Sequence, residues 1–154
     1  MNDMILNIKN AKRKQETLLR KVIPWAAKEL MGARIAKNLE IHVTFTPKFD
    51  SFGMCTWEDD NIRPREFSIE LKKEQDDINL LMTVCHEMIH VKQMAKSELK
   101  EIFKGGQRQV WHGKSFYKED LQKIEYGEEP WEIEAYRDQI PLAKKYVQSH
   151  GYKI

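Results

Sequence analysis

Cysteine is scarce in this chain: two residues of 154, Cys55 and Cys85. Two thiols cannot build a disulfide framework or a four-cysteine zinc ribbon, and they imply a reducing, cytoplasmic setting. Long apolar runs are missing too. No segment approaches the roughly 20 apolar residues that a bilayer core demands, so no membrane partner is expected. The opening stretch Met1–Ile8 is interrupted by Asn2, Asp3 and Asn7 and makes a poor secretory signal. An excess of one charge is also lacking, with 26 Lys and Arg against 24 Asp and Glu and a net charge of +2. That balance supplies no global field for nucleic acid. There is no glycine-rich phosphate loop, internal repeat or low-complexity tract. What remains is a chain whose length and 41% hydrophobic content fit one compact domain spanning 1–154.

Hydrophobic periodicity divides it. From about Lys9 to Asn38, Leu18, Leu19, Val22, Ile23, Ala26, Leu30 and Met31 recur at helical spacing, and Pro24 predicts a kink or a split. Leu39, Ile41, Val43 and Phe45 then alternate with polar residues as a strand does, ending at Pro47. Phe52–Trp57 and Arg65–Lys72 read as two more strands, with a charged turn at Glu58–Asn61, and short links predict an antiparallel meander. Asp76 or Asp77 is a natural N-cap for a helix to about Ser97. Gly105-Gly106 marks a hairpin or loop within Leu99–Phe116. Pro130 opens a last helix predicted to end before Pro141, followed by a further helical stretch over Leu142–Gln148.

Chemistry concentrates in the middle helix, at His86-Glu87-Met88-Ile89-His90. Histidines four apart share one helical face, so both imidazoles can converge on a Zn²⁺ at about 2.0–2.1 Å. Glu87, about 100° further round, stands beside the metal, where it can take a proton from a water that zinc has acidified. A catalytic zinc needs a third protein donor. The candidates are His112, Glu125, Glu128, Glu129, Glu132, Glu134 and His150. Glu134 lies mid-helix, and Asp138 follows one turn later on the same face, placed to orient a ligand histidine. Glu132 fits an ordinary first-turn role at the positive helix end, and Ala135 would let two helices approach closely.

The pairing of His86-Glu87-x-x-His90 with Glu134-x-x-x-Asp138 on a later helix resembles the gluzincin clan of zinc metallopeptidases. Pro130-Trp131-Glu132-Ile133-Glu134-Ala135 is similar to the third-ligand motif of minimal gluzincin-type domains found in phage and bacterial genomes. The resemblance spans roughly Leu39 to Ile140 and implies a cytoplasmic protease, in a bacterium or a phage-infected host, acting on protein or peptide. Trp111-His112-Gly113-Lys114-Ser115-Phe116 resembles instead a segment of SprT-like metalloproteases. That likeness implies His112 as the third zinc ligand and DNA-linked proteins as substrates. With Glu134 on the metal, His112, Tyr117, Tyr126 and Tyr136 remain candidates to stabilise an oxyanion.

These readings give an α+β, zincin-like domain with an N-terminal helix, a small, mainly antiparallel sheet of three or four strands, an active-site helix and a C-terminal ligand helix. Zinc is expected on His86, His90 and Glu134, with Glu87 as general base and Asp138 behind a histidine. The strand Phe67–Leu71 is expected to form the edge that takes up an extended peptide. Two other classes stay open: a zinc-stabilised binding module without peptidase activity, and a nucleic-acid binder using Lys9–Lys21.

Overall fold

The computed structural model describes residues 3–47, 49–59 and 63–151. It is an α+β fold with two sheets. The chain runs β1 (Ile5–Lys9), α1 (Arg13–Met31), α2 (Ala33–Ala36), β2 (Glu40–Thr46), β3 (Gly53–Trp57), β4 (Glu66–Lys72) and α3 (Asp77–Ala95). After α3 come β5 (Leu99–Ile102), β6 (Arg108–Trp111), β7 (Lys114–Tyr117), α4 (Lys118–Leu121), a 3-10 turn at Tyr126–Glu128 and α5 (Pro130–His150). Asp60 and Asn61, half of the expected charged turn, lie outside the described residues. Among the described residues no helix is long and apolar enough to cross a membrane.

The first sheet has the order β1-β2-β4-β3 and is not the expected meander. Strand β2 lies parallel to both β1 and β4, and only β3 runs antiparallel, against β4. Alternation reveals which residues face inward but not which strand is the neighbour. Helix α1 supplies the crossover that lets β2 return parallel to β1. The segment carrying β3 does the same between β2 and β4. In the parallel register Ile41, Val43 and Phe45 lie opposite Phe67, Ile69 and Leu71, all buried on one face. Strand β1 was hidden in the opening residues, where Leu6 and Ile8 alternate with Asn7 and Lys9. It pairs with β2 from Ile5↔Glu40 to Lys9↔Thr44. The Phe67–Leu71 strand is therefore interior, and the edges of the sheet are β1 and β3.

Helices α1 and α3 cover the apolar face through Leu19, Val22, Ile23, Leu80, Val84 and Met88. Both α1 and α5 continue through a proline, Pro24 and Pro141. Each proline sits on the exposed side of its helix. The carbonyl it leaves without an N–H partner can then bond water, so neither helix is interrupted. Asp76 caps α3, its side chain accepting from the Asn79 backbone N–H at 2.8 Å.

The second sheet, β5-β6-β7, is antiparallel throughout. His112 and Gly113 form the two-residue link between β6 and β7, both at positive φ (47° and 84°). That is the geometry of a tight hairpin turn whose twist matches the strands. Trp111 and Phe116 lie 6.4 and 5.8 Å from the Trp131 ring, between centroids, and so fix this sheet to the first turn of α5.

Gly53, at the start of β3, is needed for close approach. A Cβ there would lie 2.7 Å from Thr83 Cγ2 and 3.0 Å from Glu87 Oε2. Gly53→Val is expected to lower stability by about 1–3 kcal/mol, read as a shift in the denaturation midpoint.

Candidate metal centre

Three buried side chains converge where α3 faces α5. His86 Nε2 lies 3.0 Å from Glu132 Oε1, His90 Nε2 lies 3.0 Å from Glu132 Oε2, and the two ring nitrogens are 3.2 Å apart. Each residue is less than a tenth exposed. A tetrahedral ion with bonds of about 2.0–2.1 Å separates its donors by about 3.3 Å, so the spacing fits a zinc-sized cation.

The second layer of contacts fits as well. Gln93 donates from its amide nitrogen to the Trp131 carbonyl (2.9 Å) and to Glu134 Oε1 (3.1 Å). With its NH₂ so engaged, its Oε1 is left to accept from His90 Nδ1 at 2.8 Å. In the neutral ring, the Nε2 of His90 then carries a lone pair and points inward. Gln139 Oε1 stands 2.8 Å from His86 Nδ1, placed to accept that ring's N–H in the same way. Two lone pairs and a carboxylate aimed at one point call for a cation or for protons.

Burial is the largest influence on His90 and opposes its charge, but the hydrogen bond and charge of Glu132, with the Glu87 charge and the bond to Gln93, together raise the imidazole pKa. Burial likewise opposes ionisation of Glu132, yet hydrogen bonds from His86 and His90 bring its carboxyl down to about 2. Without a metal, the pair holds its acidic proton on imidazole. Glu87 is also buried, and desolvation raises its pKa despite the nearby histidines. No side-chain hydrogen bond restrains its carboxylate among the described residues. It lines a cavity of about 560 Å³ with His86, Tyr126, Tyr136, Phe52 and Met82.

The sequence placed Glu134 on the metal; the structure brings Glu132 to the histidines. Two residues on, about 200° round the helix, Glu134 accepts from Lys92 at 3.1 Å and from Gln93. It reaches His90 only through that amide. Asp138 does not back a histidine either: it pairs with Arg137 at 2.8 Å. Gln139 and Gln93 take that role. Ala135, fully buried, was the available clue. It marks the side of α5 that meets α3, and Glu132 and Gln139 lie three before and four after it.

His112 is not brought to the histidine pair. It occupies the β6–β7 turn, near Glu98 and Glu134. Lys92 already supplies a cation to that cluster, 2.8 Å from Glu98 Oε1 and 3.1 Å from Glu134 Oε1. A third cluster, Glu40, His42 and Glu66, sits on the solvent side of the first sheet, with His42 Nε2 2.9 and 3.0 Å from the two carboxylates. Of the tyrosines, Tyr136 lies against the His86 ring at 4.5 Å, between centroids. Tyr126 is largely exposed, yet burial of its hydroxyl end, followed by the Glu132 charge, raises its pKa. Tyr117 lies apart, under Arg108. Burial pushes the Cys85 thiol up to about 12 and, with the nearby Glu87 charge, raises that of Cys55, so neither is a nucleophile.

The chain matches no family model, no curated protein and no solved structure.

Competitive titration against a chelator should separate the two glutamates. Glu132→Ala is expected to lose zinc, Gln93→Ala to weaken it about 10–100-fold, and Glu134→Ala to keep a stoichiometric ion. Because zinc must displace the imidazole proton, affinity should rise with pH through the histidine range. Roughly one proton should be released per ion, measurable by calorimetry in buffers of differing ionisation enthalpy.

Proposed function

We propose that this protein is a zinc-dependent metallopeptidase, with His86, His90 and Glu132 as metal ligands and Glu87 as the general base. The observation that carries this reading is the meeting of three inward-facing donors beside a buried, unrestrained carboxylate at the wall of a cavity. Bound there, zinc would supply a Lewis acid that polarises a carbonyl and acidifies a water. Three protein ligands are the usual complement of a catalytic rather than a structural zinc.

The remaining chemistry belongs to the chain. Glu87, with its proton affinity raised by burial, accepts the proton of the attacking water and returns it to the leaving amine. Its neighbour across the gap is Gly53, whose missing side chain leaves the carboxylate room to do so. Tyr126 and Tyr136 stand at the same cavity as Glu87 and offer hydroxyl donors to a developing oxyanion. Gln93 and Gln139 hold the two imidazoles in the ligating tautomer. An extended peptide can lie along β3, whose outer edge is unpaired among the described residues and whose Gly53 and Met54 line the cavity.

This reading carries the gluzincin likeness forward with a different ligand glutamate. The SprT-like alternative needs His112 at the metal, and His112 serves instead as a hairpin residue.

Glu87→Gln keeps the shape and removes the base. It should retain one zinc per chain and lose roughly 10²–10⁴-fold in peptide hydrolysis. A variant cleaving a peptide library at the parent rate would refute the assignment. With β4 in the sheet interior, Ile69→Pro should unfold the protein, whereas Cys55→Pro, which removes an N–H from the open edge of β3, should raise KM for peptides while leaving zinc bound.

A further inference from the structure

A groove of about 680 Å³ opens at the far end of α3. Its lining includes Arg34, Arg63, Arg65, Lys96 and Lys100 and no carboxylate. The residues come from separate elements: Arg34 from α2, Arg65 from the approach to β4, Lys96 from the end of α3 and Lys100 from β5. Arg65 is held in place by hydrogen bonds from its guanidinium to the Ala95 and Pro64 carbonyls, at 2.8 and 2.9 Å.

Arg34, Lys96 and Lys100 are exposed, and among the described residues none of them pairs with a carboxylate. Glu98, between the two lysines in sequence, is turned to Lys92. Asp59 accepts from the backbone N–H groups of Arg65 and Glu66 and does not line the groove. Elsewhere the pattern differs: Lys12, just before α1, and Lys14 and Arg20, on it, pair with Glu74, Asp77 and Glu16. The negative end of α3 accounts for a cation at Lys96 and Arg65. It gives no reason for Arg34 and Lys100 to face the same space.

We propose that this groove binds the phosphodiester backbone of duplex nucleic acid. Repeated negative charge suits a row of guanidinium and ammonium groups drawn from several fixed elements. A single phosphate would engage only part of such a row. The lining has no aromatic side chain on which an unpaired base could stack, which disfavours single strands. Its apolar portion is limited to Ile35 and Ala95, which offers little to the side chains of an acidic peptide. The chain's near-neutral net charge conceals the groove, because compensating acids sit elsewhere. The proposal is independent of the metal centre and uses none of its residues.

The test is fluorescence anisotropy with a labelled 20-base-pair DNA duplex over a series of salt concentrations, using the zinc-loaded full chain. The parent should bind with an affinity that falls steeply with salt. Arg34→Glu/Lys96→Glu/Lys100→Glu should weaken binding at least about tenfold at low salt and lower the log–log salt slope by about two to three. Lys96→Gln/Lys100→Gln should move both readouts in the same direction by less. Zinc content and melting temperature of each variant show that it is folded. Lys14→Glu/Lys21→Glu, on α1, should leave binding unchanged, as should removal of zinc. Absence of parental binding, an unaffected groove variant, or an α1 variant that loses as much would overturn the proposal. So would poly-glutamate displacing the duplex at equal charge concentration, which would mark the groove as a site for acidic protein.

Discussion

The site rests on the facing of two helical stripes. On α3, His86, His90 and Gln93 recur at intervals of four and three; on α5, Glu132, Ala135 and Gln139 recur at intervals of three and four. Ala135 has no side chain beyond Cβ, so the helices come close enough for a carboxylate from one to reach both imidazoles of the other. Each glutamine then fixes a ring from behind. Burial would make any of these groups costly alone, and their mutual satisfaction is what permits them in a dry interior. The histidine pair therefore depends on the register of α5, and that register on Trp131, gripped by Trp111 and Phe116 of the small sheet.

Seen in this way, the three-stranded sheet is a brace. Its tight turn at His112-Gly113 brings Trp111 and Phe116 against the first turn of α5, and Glu132 is the next residue in that turn. Glu134 and Lys92 close the same corner from the other side, through Gln93. The acid that resembled a ligand is thus part of the support for one. Such outer contacts govern tautomer and orientation, and losing one typically lowers metal affinity about 10–100-fold.

Much of this was legible in the chain. The His86–His90 pair, the Asp76 cap, the bounds of α3 and the α+β class follow from spacing and capping rules that act locally. Strand partners did not follow, because alternation in Leu39–Phe45 and Arg65–Lys72 specifies an inward face and is silent about neighbours. Pro24 and Pro141 suggested breaks, since sequence alone does not tell whether the freed carbonyl faces water. Choosing Glu134 over Glu132 came from weighing helix position and the Asp138 spacing. Ala135 held the deciding information, because a small residue at a helix contact identifies the partners three and four places away. The cationic groove had no sequence signature at all: Arg34, Arg65, Lys96 and Lys100 meet only through tertiary structure.

The donors are distant in the chain, His86 and Glu132 being 46 residues apart. An ion shared between them would act as a cross-link, closing a long loop that contains the whole small sheet and both short helical turns. Loop closure removes freedom mainly from the unfolded ensemble, and the benefit grows slowly with loop length. Occupancy of the centre and docking of the C-terminal helix would then be one equilibrium, and coordination there would staple the last third of the chain to the core.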